Sequence, residues 1–304
     1  MKLANISTGN NLVQDARKSV ALSLLLLAVL VLTQPLAQAQ KFTLQRLNPP
    51  GSHYSFAWGV NNHGLVTGSF INAKNVYEGF IYNGSTYKEI SQSASFTQAN
   101  GINDNGIVVG DYMGKDNLSH GFFLRDGQFT RYDVNQGASN SDEATSTLST
   151  YIYAINKAGN FVGYTQKQGE RANAYVNLNG TVKQFTFQSN YTFAYGIDSK
   201  NEIVGWFIDP NFIVHGFFRG VGGKMTQIDY PGAGTTQCLG INDLGEITGL
   251  YVDSKNVSHG FIRAKGKFRT VGPPDAAGIN NSGVFVGSYI AKNKQNYGFI
   301  ATPQ

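Results

Sequence analysis

Apolar and polar side chains alternate along short segments of this chain, and glycine or asparagine closes most of them. Phe129-Thr130-Arg131-Tyr132-Asp133 and Met225-Thr226-Gln227-Ile228-Asp229 show the period of two expected of a strand with one buried face. Ile102 and Ile107-Val108-Val109, on either side of a turn, are β-branched, which suits a pleated sheet.

The segments recur as six units. A motif of the form Gly-Ile-Asn starts at Gly59, Gly101, Ala154, Gly196, Gly240 and Gly278, with separations of 42, 53, 42, 44 and 38 residues. Two positions after each start stands Asn61, Asn103, Asn156, Asp198, Asn242 or Asn280. Five positions after it stands Gly64, Gly106, Gly159, Asn201, Gly245 or Gly283. Glycine and asparagine share a tolerance of positive φ, so each unit is expected to open with a tight β-hairpin whose turn the preceding Asn or Asp bonds. A glycine nine positions after the start (Gly68, Gly110, Gly163, Gly205, Gly249, Gly287) never varies. Glycine weakens a strand, so its recurrence predicts close packing over the backbone there.

Twenty positions after each start comes a second anchor: Gly79-Phe80, Gly121-Phe122, Ala174-Tyr175, Gly216-Phe217, Gly260-Phe261 and Gly298-Phe299. It opens a third strand, and a polar turn such as Asp126-Gly127 leads to a fourth. Four short antiparallel strands in about 44 residues match one propeller blade. The sixth unit stops after its third strand, whereas Phe42 to Gly51 precedes the first unit and reads as a fourth strand with its exit. The sequence therefore predicts an all-β, six-bladed β-propeller of four-stranded antiparallel blades, closed by the N-terminal strand completing the last blade, which leaves no large unpaired edge.

Ser119-His120-Gly121-Phe122 and Ser258-His259-Gly260-Phe261, with the Gly-Ile-Asn-Asp-x-Gly-x-Ile/Val-x-Gly motif, resemble the bacterial extracellular repeats named HAF after a His-Ala-Phe tripeptide. The resemblance spans all six units, with Gly in place of the usual Ala. It implies an exported, repeat-built β protein and carries no established reaction.

The first 39 residues read as a signal peptide: Lys2, Arg17 and Lys18 precede an apolar run from Val20 to Leu32, and Ala37-Gln38-Ala39 is a small-x-small cleavage site. That run is short against the roughly 20 residues that span a bilayer, so the expected product is secreted, with residues 40–304 forming one domain and no membrane span left after cleavage. Removing the leader lowers the formal charge from +5 to +3, spread along the chain. Such a balance argues against nucleic acid as a partner. The one cysteine, Cys238, is expected to be a small buried apolar residue.

The first-to-second and third-to-fourth turns should share one face of the disc, and the longer loops the other, where ligand contact is expected. The connection Asn135 to Thr150 is the one expanded loop, read as a solvated insert with a lid or partner-binding loop over the central opening as the alternative. His120, His215 and His259 precede the second anchor, but at roughly 10 Å from the innermost strand they diverge, so they are expected to bond within their own blades and hold no metal. Aromatics eleven positions after the start, among them Phe70, Tyr112 and Phe207, should pack between blades. Trp58, Asp111, Arg171, Trp206 and Asp209 are the candidate ligand-binding residues; no catalytic residue is assigned and no cofactor is expected. The functional expectation is a monomeric binding or scaffold module for a surface glycan or a cell-surface protein. A polysaccharide lyase or glycosidase is the alternative, and a purely structural envelope protein is a third.

Overall fold

The structure is a computed structural model in which residues 41–92, 96–134, 137–139, 148–167, 169–188 and 191–304 are described. The expected leader lies outside them. The body formed by Phe42–Pro303 is a six-bladed β-propeller of antiparallel sheets. Blade one comprises Ser52–Val60, Val66–Asn72, Tyr77–Tyr82 and Tyr87–Ile90, each strand paired to the next from the axis outward. Blades three, four and five repeat this order. Among the described residues no helix is long and apolar enough to cross a membrane.

The ring closes as the chain ends imply. Phe42–Leu47 runs antiparallel to Asn296–Pro303, with Phe42 opposite Pro303 and Leu47 opposite Gly298. Leu47 is fully buried, and Ser55 of blade one staples the join, donating from Oγ to Leu47 O at 2.8 Å and accepting the Gly298 N–H at 3.0 Å. The guanidinium of Arg46 stacks on the Tyr297 ring.

Blades two and six depart from the repeat. Blade two gains a fifth strand, Gly137–Ser139, on its outer edge. The described part of the expanded connection thus lies at the rim, where it is no lid over the axis; residues 135–136 and 140–147 lie outside the described residues, and Leu148–Ile155 is the inner strand of blade three. In blade six the inner strand shrinks to a short segment bridged at Ile279 to Phe285. Pro273 and Pro274 just before it carry no N–H for a ladder. The Asp275 side chain supplies the acceptor for the neighbouring strand, accepting the N–H and the hydroxyl of Ser288.

The core lies between blades. Val162, Ala174 and Val176 of blade three pack with Ala194, Ile203 and Phe207 of blade four, and the expected inter-blade aromatics Phe70 and Tyr112 are buried likewise. The second-anchor aromatics Phe80, Phe122, Tyr175, Phe217, Phe261 and Phe299 are all sealed from solvent. They explain the invariant glycine. A Cβ on Gly110 would sit 1.8 Å from Gln98 O and 2.8 Å from the Phe122 ring, so only glycine lets both neighbours approach. Removing one of these buried rings costs about 3–5 kcal/mol.

Candidate functional site

The opening motif builds the axis as a stack of rings. At the start position the backbones of adjacent inner strands touch: a Cβ on Gly101 would lie 2.7 Å from Tyr153 O, and one on Gly278 2.7 Å from Trp58 O. The next position contributes Val60, Ile102, Ile155, Ile197, Ile241 and Ile279, an apolar collar exposed by 6–8 %. A cavity of about 90 Å³ lies on one side of the collar and one of about 100 Å³ on the other. Their similar size leaves chemistry to tell the two ends apart.

The end bearing the short turns is knitted together by side-chain hydrogen bonds around its cavity. Each motif Asn accepts from the backbone of its own turn, as Asn61 Oδ1 does from the N–H of His63 and Leu65. Its Nδ2 donates to the carbonyl of the next motif residue around the ring: Asn61 to Asn103, Asn103 to Asn156, Asn156 to Asp198, Asn242 to Asn280 and Asn280 to Asn61, all at 2.9–3.0 Å. Asp198 breaks the circuit. Its Oδ1 accepts from Lys200 and Glu202 N–H, whereas its buried Oδ2 finds no hydrogen-bond partner. Burial, reinforced by the neighbouring Glu202 carboxylate, pushes the Asp198 carboxyl up to about 6. One residue further on, Asn62, Asp104, Asp243 and Asn281 bond one another across blades. These amides and carboxylates satisfy each other and offer a ligand little.

The opposite end is built from residues that differ. In five blades a β-bulge falls one position before the start, as the register shifts at Ala57/Gly59, Ala99/Gly101, Ile152/Ala154, Ala194/Gly196 and Cys238/Gly240 show. A bulge re-aims one side chain, and the bulged residues Trp58, Asn100, Tyr153, Tyr195 and Leu239 line this mouth. Behind four of them stands a partner eleven residues later. Trp58 Nε1 donates to Ser69 Oγ at 3.1 Å, Asn100 Nδ2 donates to Asp111 Oδ1 at 2.8 Å, and Tyr153 stacks on Tyr164 with centroids 5.7 Å apart. Tyr195 is backed by Trp206, itself stacked on Phe193 at 4.0 Å. Tyr153 and Tyr195 meet across the blade boundary at 4.1 Å. Blades three and four thus form a continuous aromatic wall, and Asn100 with Asp111 makes a polar notch between Trp58 and Tyr153.

The Asp111 carboxyl lies behind the lining layer, sealed from solvent. Asn100 Oδ1 and Asp111 Oδ2 are buried without a hydrogen-bond partner, and burial pushes the Asp111 carboxyl up to about 7 against the pull of the Asn100 amide. No lysine, arginine, histidine or carboxylate is among the residues lining the mouth. The lining can stack the apolar face of a ring, with the Asn100 amide as its polar group.

Of the five sequence candidates, Trp58 lies in the lining layer, and Asp111 and Trp206 lie directly behind it. Arg171 and Asp209 line neither cavity. Arg171 is exposed, its guanidinium 5.4 Å from the Tyr191 ring centre. Asp209 caps its own turn, accepting the Asn211 and Ile213 N–H groups. Charge alone nominated both, and loop charges of this kind are engaged locally. Asn100, Tyr153, Tyr195 and Leu239 were missed, although they share one signal: the position before each motif start changes in every unit but two.

The three anchor histidines stay within their blades. His120 bridges Asp116 and Asp133 at 3.0 and 2.9 Å, His215 reaches Asp229 at 2.9 Å, and His259 reaches Asp253 at 2.9 Å. Burial opposes charge on His120, but Asp133 and Asp116 outweigh it and hold its pKa above the ordinary value. Among the described residues no group of three or more His, Cys, Asp or Glu is arranged to hold a metal. Cys238 is fully buried, and burial raises its thiol to about 12, far from the range of a reactive thiolate.

No protein-family model matches this chain, and no curated protein matches it in sequence. Among solved structures it is similar to a gluconolactonase from Xanthomonas campestris, at 9 % identity and a TM-score of 0.54, covering 90 % of this chain and 94 % of that one. It is also similar to the protein AofleA from Arthrobotrys oligospora, at 12 % identity and a TM-score of 0.50, covering 87 % and 84 %. A lectin from Aleuria aurantia bound to Fucα1-6GlcNAc matches at 13 % identity and a TM-score of 0.44, covering 76 % and 78 %. At such identities the likeness is one of fold.

Proposed function

We propose that the protein is a binding module that takes a sugar unit of a surface glycan into the bulge-lined mouth of its central channel. One observation carries this reading: a single motif position, held identical in backbone by the bulge, presents Trp58, Asn100, Tyr153, Tyr195 and Leu239 at one opening, while the opposite opening repeats its residues. Aromatic faces suit the C–H face of a sugar ring, and the Asn100 amide suits its hydroxyl or amino groups. With no lysine, arginine or histidine among the lining residues to hold a carboxylate, neutral or amino sugars are favoured over acidic ones. The leader-like residues 1–39 support export, which would place the module where glycans are met. Asp111, near neutrality, also suits proton transfer, which is the basis of a second reading as a carbohydrate-active enzyme. The absence of a carboxylate or histidine from the lining residues weighs against it.

The test is direct because both tryptophans of the chain belong to the site. A glycan array identifies the sugar, and intrinsic fluorescence then titrates it. Trp58→Ala and Tyr195→Ala should each weaken binding at least about tenfold, the worth of one lost stacking contact. An array without signal, or variants that bind like the parent, would defeat the reading.

A further inference from the structure

The turn joining the second and third strands has one geometry in five blades. Its fourth residue donates its N–H back to the first, from Asn75 to Asn72, Asn117 to Gly114, Phe212 to Asp209, Asn256 to Asp253 and Lys294 to Ala291. Each fourth residue has a φ between 59° and 63°. Asparagine tolerates that left-handed conformation, and lysine fills it in blade six with a chain that reaches into water. Blade four alone places an aromatic ring there. For a bulky side chain it is a strained choice, and the ring gains nothing from packing, because Phe212 is 83 % exposed. Its neighbour Ile213, 43 % exposed, adds to the same uncovered apolar tip. Folding stability therefore gives no reason for Phe212; both its conformation and its exposure count against it.

Its location supplies a reason. The turn stands on the face into which the bulged residues open, at the end of Ile203–Ile208, the strand that carries Trp206. Blade four already contributes Phe193, Tyr195 and Trp206 to the aromatic wall. At about 3.3 Å per residue, Phe212 stands roughly 10–15 Å beyond Trp206, farther than one sugar unit in the mouth can reach. We infer that Phe212 is a second stacking platform, outside the channel, for a later unit of an extended oligosaccharide whose terminal unit occupies the mouth. This rests on the glycan-binding reading. It adds that the natural ligand is a chain of several units running outward over blade four. An isolated ring in free solution at the turn tip holds no affinity by itself; anchored by the mouth, the chain presents its later units at high effective concentration.

The experiment compares the parent, Phe212→Asn and Trp58→Ala on one array of mono- to hexasaccharides of neutral, amino and acidic sugars, with unfolding midpoints measured alongside. Phe212→Asn should lose about tenfold in affinity for the longer oligomers and keep its affinity for the mono- and disaccharides. Its unfolding midpoint should rise by about 2–4 °C, since asparagine suits the turn. Unchanged affinity at every chain length would overturn the inference while leaving the mouth reading intact, provided Trp58→Ala still binds poorly. Equal loss for short and long sugars would also overturn it, because the substitution would then act on the mouth. If Trp58→Ala binds as the parent does, or the parent binds no glycan, the mouth reading fails and this inference with it.

Discussion

The two ends of the channel come from one motif, three residues apart, and have opposite characters. At the short-turn end five asparagines make the same bond in sequence, interrupted at Asp198, so each of these side chains is needed by its neighbour. At the opposite end the bulge fixes the backbone and leaves the side chain free to differ: Trp58, Asn100, Tyr153, Tyr195 and Leu239 share a position but range from aromatic to amide to aliphatic. The difference separates what a repeat must conserve to close a ring from what it can vary to recognise something.

Substitutions at the two ends should therefore fail differently. The largest effect is expected at the invariant glycine packed beside the bulge. Gly110→Ala would drive a Cβ to 1.8 Å from Gln98 O, beside the bulge at Asn100, and should cost about 3 kcal/mol or more, read as a collapse of the midpoint in a urea melt. Next comes Asn103→Ala, which strips two backbone N–H groups and the Asn156 carbonyl of their partner. A loss of roughly 2–3 kcal/mol is expected, with sugar affinity of the surviving folded protein unchanged. Loss of binding in parallel with stability would erase the distinction between the ends.

Asp198 offers a gain. Its pKa is raised in the folded chain to about 6, against about 3.9 when unfolded. A raised folded pKa means that the folded state holds the proton more tightly, so the stabilisation is fully present below about pH 4 and is lost as pH rises through 6. The other five motif side chains each donate from Nδ2 to the next motif carbonyl, and the aspartate carries no such amide donor toward Asn242. Asp198→Asn supplies that donor at every pH. It should raise stability by roughly 1–2 kcal/mol above pH 7 and flatten the decline between pH 4 and 7. A variant no more stable than the parent at pH 7.5 would show that the missing bond is immaterial. The smallest effect on stability belongs to Trp58→Ala, whose half-buried ring should cost about 1 kcal/mol while removing most of the sugar affinity, read by comparing a thermal melt with a binding isotherm.

The fold was legible because its requirements recur. Glycine at nine positions after the start and Asn or Asp at two positions after it are backbone demands, repeated six times, and the spare strand at Phe42 declared the closure. The site was half legible for the converse reason. Trp58 and Trp206 stood out as rare residues and Asp111 as a charge beside a glycine. Asn100, Tyr153, Tyr195 and Leu239 did not, because aligning the units on what they share sets aside the position at which they differ. The bulge that gives this position its meaning is a property of strand pairing, invisible in composition. Pro273 and Pro274 hid another departure, the replacement of a ladder by the Asp275 carboxylate.

The strand that seals the disc is the first part of the body to be synthesised, and its partner is the last. Phe42–Leu47 can find Asn296–Pro303 only after every other blade has been made. Assembly must therefore finish with a single pairing between segments at opposite ends of the chain, the slowest kind of contact to form. Until then the inter-blade surface of blade one that will receive Val286 and Ile300 stays bare, and any sheet edge met in the meantime is a competitor for it.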